Sequence, residues 1–309
     1  MDRALIATAP DVPDDVRVRI EDAVRRGGGT VAPLDEANGL VWLNFRGFAD
    51  LQRTLGDHPG IKWVQLPIAG VDSFARSGVF QHPAVFTSAK GSFAGQVSEH
   101  ALMLMLACLR SVAQQARTPN WQHVEVISLH GRSITILGGG GITRELIRLL
   151  RPFECRVRVL RRRADPVDGA DETLPASALH TVLPDTDILV LALALTPETR
   201  HIVGAAELAL LPSHAVIVNV ARGPHIDTDA LSKALRTGEI AAAGLDVTDP
   251  EPLPDTHPLW SDHRVLITSH SANSTEYVTD MLCERVEQNV ARLRSGKPLT
   301  GVIDASAGY

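Results

Sequence analysis

The sequence predicts an α/β protein in which helices cover parallel sheets. Three observations predict it. Short apolar β-type runs alternate with amphipathic helical runs along the chain. One run, Ile188–Leu195, is apolar without a break, the pattern of a central parallel strand covered on both faces. The 309 residues are enough for two domains at about 150 residues each.

The elements follow in order. Strands are predicted at Ala4–Thr8, Thr30–Leu34, Leu40–Asn44, Ile61–Leu66 and Ala84–Ser88, with helices at Asp14–Arg26 and around Ala49–Leu55. Gly27, Gly28 and Gly29 end the first helix, as glycines past the last apolar turn do. Residues 97–110 are apolar almost all round, which predicts a helix buried between layers or domains. Ser111–Gly131 reads as an irregular polar arm, too long for a simple turn. From Ser133 the alternation resumes, with strands at Ser133–Leu137, Arg156–Leu160, Ile188–Leu195, Ala215–Val220, Ala241–Val247 and Val265–Ser269. Helices fit near Arg144–Leu150, Ala205–Leu211 and Thr228–Arg236. Six strands with crossover helices make a doubly wound, Rossmann-type sheet. A last helix is predicted from Asn273, with Glu276 three residues on as in a capping box. Val278, Met281, Leu282, Val286, Val290 and Leu293 form its apolar stripe.

Composition excludes several classes. Hydrophobic residues are 44% and charged residues 21%, which is ordinary for a globular enzyme and excludes a disordered chain. A net charge of −6 leaves no basic excess for a nucleic-acid binder. The three cysteines, Cys108, Cys155 and Cys283, form no CxxC pair, so neither a disulfide framework nor a cysteine-rich metal site is expected. Met1–Asp15 lacks the apolar core of a signal peptide, and no apolar stretch approaches the roughly 18 residues of a membrane span. A soluble cytoplasmic protein is expected.

The segment Ile134–Glu145 reads as strand, glycine loop and helix start. Gly138, Gly140, Gly141 and Ile142 lie where backbone amides meet a pyrophosphate at a helix N-terminus. Gly138 and Gly140 fit the first two glycines of GxGxxG, but the third place holds Thr143. A side chain there has to push the helix outward or find a small neighbour. The second strand runs into Arg161, Arg162 and Arg163, where an acid would otherwise bind a ribose hydroxyl. Guanidinium groups pair with a 2′-phosphate, so NADP(H) is expected to be preferred, with NAD(H) as the second cofactor. The plain alternative is a solvated basic turn.

Arg222, Glu251 and His270 each fall at or after the end of a predicted strand, the edge where doubly wound sheets bind ligands. Taken singly, each also reads as a surface residue. Together they suit reduction of a 2-oxo acid. That reaction needs a cation for the carboxylate, a proton donor for the carbonyl oxygen and a hydride. Arg222 offers the planar fork, His270 the proton, and Glu251 the group that orients the imidazole.

From Trp63 to Ile303 the chain resembles the D-isomer-specific 2-hydroxyacid dehydrogenase family, glyoxylate/hydroxypyruvate reductases included. The motifs are Leu195–Arg200, Asn219–Gly223, Asp246–Leu253, His257–Trp260 and Thr268–His270. The resemblance implies catalytic roles for Arg222, Glu251 and His270. It implies cofactor contacts at Thr196 and Ala221, and a nicotinamide carboxamide contact at Asp246. Leu66–Asp72 resembles the family's substrate loop, whose amides at Ile68, Ala69 and Gly70 would receive the carboxylate. Thr143, Gly141, Ser269, Asn273 and Ala194 depart from the usual pattern. The implied architecture is a smaller flavodoxin-like substrate domain, 1–97 with 276–309, and a dinucleotide-binding domain, 98–275. A homodimer through the cofactor domain is implied, with the 111–131 arm exchanged, and no metal. The competing reading is a non-catalytic nucleotide-sensing protein of the same fold, as corepressors of the family are.

Overall fold

A computed structural model describes residues 4–305; of Thr275 and Glu276 only the backbone is described. The chain forms two compact units. One comprises the residues up to Phe93 and those from Ser274 onward, the other Ala94–Asn273. The division falls a few residues before the predicted 97/98 because the helix there begins at Ala94 and stays in one piece.

The first unit is built on β1 (Leu5–Ala9), α1 (Asp14–Arg26), β2 (Thr30–Val31), β3 (Gly39–Trp42), α2 (Phe48–Asp57), β4 (Trp63–Gln65), α3 (Asp72–Arg76) and β5 (Val85–Thr87). Its strands are parallel, in the order β2-β1-β3-β4-β5. All five overlap predicted runs, though most are shorter, and β1 and β3 are each shifted by a residue at one end.

The second unit opens with α4 (Ala94–Leu109) and α5 (Val112–Arg117), then β6 (Ser133–Leu137), α6 (Gly141–Leu150), β7 (Arg156–Arg161) and β8 (Glu172–Pro175). It continues with α7 (Leu179–Val182), β9 (Ile188–Leu191), α8 (Ala205–Leu210), β10 (Val216–Asn219), α9 (Thr228–Thr237), β11 (Ala242–Leu245) and β12 (Val265–Ile267). The seven strands are parallel in the order β12-β11-β10-β9-β6-β7-β8. The order reverses between β6 and β9, which puts the glycine loop after β6 at the switch point. The sequence predicts six strands. The seventh, β8, is a four-residue edge strand ending in Pro175, which has no N–H for a further neighbour.

Other expectations are corrected. The predicted strand Ile188–Leu195 stops at Leu191, and 192–196 is irregular. The 111–131 arm contains α5, and 118–131 is irregular. The α4 helix is not buried all round. Val97, Ala101, Leu104 and Met105 face inward, while Met103 is exposed. Its inner face presses on β11 so closely that a Cβ on Gly244 would lie 2.9 Å from the Leu104 Cβ. The chain returns to the first unit as α10 (Thr275–Arg294). Its N-cap is Ser274 rather than Asn273, and the Glu276 side chain of the predicted capping box lies outside the described residues. Leu282, Val286 and Val290 pack with Ile20 and Val24 of α1, as the stripe predicts.

Candidate active site

The glycine loop is fixed by what its residues lack. Gly138 has φ +106°, and a Cβ there would lie 2.3 Å from the Ala192 carbonyl oxygen. Only glycine permits that approach between the loop and the exit of β9. Gly140 caps α6, and a Cβ added to it would meet open space. The α6 N-terminus at Gly141 and Ile142 carries amides with no intrahelical acceptor, a ready anion site. Thr143, the departure from the glycine pattern, is buried and donates its hydroxyl to the Gly138 carbonyl at 2.7 Å. The third glycine is thus replaced by a side chain that ties helix and loop together.

Arg161 ends β7 and lies against this loop. A Cβ on Gly139 would be 3.0 Å from the Arg161 Cδ. Its Nη1 donates to the Asp165 carbonyl at 3.2 Å. Arg162 is exposed. Glu198 titrates below its ordinary value, mainly through the hydrogen bond from Thr196, with a smaller electrostatic contribution from Arg162. Thr196 caps the turn after β9 by donating to Glu198 at 2.7 Å, and its amide donates to Thr199 Oγ1 at 2.8 Å. The glycine loop, the β7 exit and the β9 exit therefore meet at one sheet edge. An open Gly140, a free helix N-terminus and flanking guanidinium groups fit a dinucleotide.

The second cluster lies after β10, β11 and β12. Asn219 shapes the turn holding Arg222. Its Nδ2 donates to the Arg222 carbonyl at 2.9 Å, and its Oδ1 accepts from the Ala221 amide at 3.0 Å. A Cβ on Gly223 would overlap the Thr248 carbonyl, so the glycine lets these loops pass. Arg222 Nη1 donates to the carbonyl of Ala221, which is buried. Glu251 Oε1 lies 2.8 Å from His270 Nδ1, and both side chains are about 45% exposed (44% and 45%). The Glu251 carboxyl is held below its ordinary range, first by this hydrogen bond and, further down, by the charge on Arg222. The structure thus brings Arg222, Glu251 and His270 together.

Asp246 has neighbours that sequence reasoning did not expect. It is 2% exposed. Its carboxylate accepts from Thr268 Oγ1 at 2.6 Å, the Ser271 amide at 2.9 Å and the Ala272 amide at 3.2 Å. Its carbonyl accepts from the His270 amide at 2.8 Å. The carboxylate for which a carboxamide contact is predicted is thus also anchored to the His270 loop. That loop holds His270 at φ +53°, a left-handed conformation that persists only where neighbours determine it. His100 on α4 joins the same cluster, its Nε2 2.9 Å from Thr268 Oγ1. Sequence reading missed it, because one histidine on a largely apolar helix gives no signal of a partner 168 residues away.

Ile68, Ala69 and Gly70 belong to the first unit and follow β4. The Ile68 carbonyl accepts from Ala89, and among the described residues none of the three amides donates to a backbone carbonyl. No group of three or more metal-ligating side chains occurs among the described residues. No helix there is long and apolar enough to cross a membrane.

The chain is similar to known proteins over most of its length. The family model "D-isomer specific 2-hydroxyacid dehydrogenase, NAD binding domain" matches residues 102–272. A Corynebacterium melassecola protein, "Uncharacterized protein in proB 3'region", is 38% identical over 293 residues, 93% of this chain and 95% of its own. Glyoxylate reductase of Aeropyrum pernix is 31% identical over 243 residues, 74% of this chain and 70% of its own. The crystal structure of a D-isomer specific 2-hydroxyacid dehydrogenase from Xanthobacter autotrophicus Py2, in complex with NADPH and MES, matches with a TM-score of 0.86 and 26% identity, over 99% of this chain and 100% of that one. With more than half of its length matched by the family model, the chain belongs to the D-isomer specific 2-hydroxyacid dehydrogenase family and is an NAD(P)-dependent enzyme.

Proposed function

We propose that the protein reduces a small 2-oxo acid of the glyoxylate or hydroxypyruvate type to the D-2-hydroxy acid, with NADPH preferred over NADH. The observation that carries this reading is the 2.8 Å His270–Glu251 pair within the electrostatic reach of Arg222. Glu251 engages His270 Nδ1, so Nδ1 keeps its hydrogen and Nε2 is the end that delivers a proton. Arg222 receives the substrate carboxylate and polarises the carbonyl oxygen. A nicotinamide held at the glycine loop would supply the hydride that this reduction needs. His270 Nε2 gives its proton to the carbonyl oxygen, leaving a neutral imidazole that Glu251 still orients. In the oxidative direction Nε2 accepts the hydroxyl proton.

Gly138, Gly140, Gly141 and Ile142 are assigned to the pyrophosphate, and Arg161 with Arg162 to a 2′-phosphate. Thr196 and Ala221 stay assigned to the cofactor. The amides of Ile68, Ala69 and Gly70 are assigned to the substrate carboxylate. Asp246 stays assigned to the nicotinamide carboxamide and also holds the His270 loop. A homodimer through the second unit is proposed as well, supported by the exposed apolar side chains of Met103, Val112, Trp121 and Val126. The cytosol is proposed as its compartment, in keeping with three free thiols.

The test is NADPH and NADH oxidation across glyoxylate, hydroxypyruvate, pyruvate and phenylpyruvate. Turnover with the small 2-oxo acids is expected. Tight nucleotide binding without turnover would favour the nucleotide-sensing alternative.

A further inference from the structure

We propose that His100 is a positioning residue for the proton donor, acting through Thr268 and Asp246 on the loop that presents His270. The inference rests on the reading of His270 given above, and none of the sequence motifs includes His100.

The donor and acceptor roles in this cluster follow from which atoms carry hydrogen. A carboxylate has no proton, so Thr268 Oγ1 donates to Asp246 Oδ1 at 2.6 Å. The same hydroxyl has spent its hydrogen and can only accept at its 2.9 Å contact with His100 Nε2. His100 Nε2 therefore carries a hydrogen, and the tautomer is fixed by geometry. That nitrogen also stands 3.3 Å from Asp246 Oδ1. Asp246 in turn holds the amides of His270, Ser271 and Ala272. One short chain of donors thus runs from α4 to the residue whose backbone is left-handed.

The placement is not what packing alone requires. Around His100, α4 turns Val97, Ala101 and Leu104 inward as apolar contacts. His100, with 15% of its side chain exposed, lies on this helix and spends its ring nitrogen on a threonine after β12. α4 crosses β10, β11 and β12, and Gly244 fixes its distance from β11. His100 therefore references the His270 loop to the helix that packs across β10, β11 and β12. A displacement of about 1 Å at a reacting group can cost about a hundredfold in rate.

The experiment compares His100→Leu, His100→Gln, Thr268→Val, the double variant His100→Leu with Thr268→Val, and His270→Ala. In His100→Leu, kcat is expected to fall about tenfold to a hundredfold, with the NADPH dissociation constant within about twofold of wild type. His100→Gln, whose amide nitrogen can replace Nε2 as donor, is expected to recover most of kcat. The double variant should lose no more than Thr268→Val alone, because both remove one connected chain. In the nucleotide-free protein, amide exchange over residues 268–272 should speed up in His100→Leu and return toward wild type in His100→Gln. Wild-type kcat in His100→Leu, equal losses in the leucine and glutamine variants, or additive losses in the double variant would each overturn the proposal. So would a loss in which nucleotide affinity and melting temperature fall together with kcat. Should His100→Leu fail to fold, Thr268→Val and its exchange pattern decide by the same criteria. Turnover retained by His270→Ala would overturn the underlying mechanism instead. An inactive His270→Ala beside a normal His100→Leu overturns this proposal alone.

Discussion

His270 has only modest shielding from solvent, so its direction must come from its partners. Glu251 supplies one of them, and the effect is mutual: the carboxyl is held below its ordinary range chiefly by the His270 hydrogen bond. His270→Ala is expected to cut turnover by about a hundredfold to ten-thousandfold while leaving NADPH binding nearly intact, checked by steady-state kinetics and nucleotide fluorescence. For the cofactor, Arg161→Asp with Arg162→Ala should weaken NADPH binding about tenfold or more and leave NADH little changed. An unaltered NADPH-to-NADH ratio would return these arginines to a solvated turn. That Arg222, Glu251 and His270 lie together was legible because each stands in a motif read locally. His100 was not, because its meaning lies in a contact across the fold. The contacts of Asp246 to the Ser271 and Ala272 amides were not legible, since backbone amides leave no mark in a sequence.

At the scale of elements, the glycine loop shows how a departure from a motif can be repaired. Thr143 supplies a hydrogen bond to Gly138 where the usual pattern has a third glycine. Thr143→Val keeps the shape and removes the hydroxyl, leaving a half-buried carbonyl short of a donor. A loss of about 1 kcal/mol in stability is expected, with a severalfold weaker nucleotide, measured by denaturant unfolding and binding titration. Gly138→Ala should cost roughly 3 kcal/mol or more, because the backbone conformation and the Ala192 carbonyl both oppose a Cβ. Most strands and helices were legible from periodicity. The failures have physical reasons. β8 is too short and too polar to show a period. The run after Leu191 stays apolar although the chain has left the sheet. The α4 sequence is apolar on faces that a single chain leaves exposed.

For the whole molecule, charge pairing predicts acid behaviour. Asp187 and Glu207 are each pushed up by burial, but hydrogen bonds outweigh it and bring both below their ordinary values. For Asp187 these come from the Ser133 amide and His214, for Glu207 from the Gly204 amide and His180. Glu251 is lowered as well. A carboxylate depressed in the fold binds protons more weakly there than in the unfolded chain. Its stabilisation is complete above about pH 4–5 and is lost as pH falls through the depressed values. The melting temperature should stay flat from neutral pH to about 5 and decline below about 4, less steeply in Asp187→Asn. In solution, light scattering should report a dimer, and Trp121→Glu should shift it toward monomer. The division into two α/β units was readable from length and strand alternation, but its boundary was set by where α4 begins, which apolar sequence alone did not mark.

The most direct test is one assay of wild type and His270→Ala side by side, with NADPH and NADH, against glyoxylate and hydroxypyruvate. The account predicts nicotinamide oxidation by wild type, at least about tenfold more efficient with NADPH, and near-complete loss in the variant with nucleotide still bound. Equal turnover by the two proteins, or tight nucleotide binding with no turnover of either substrate by wild type, would contradict it.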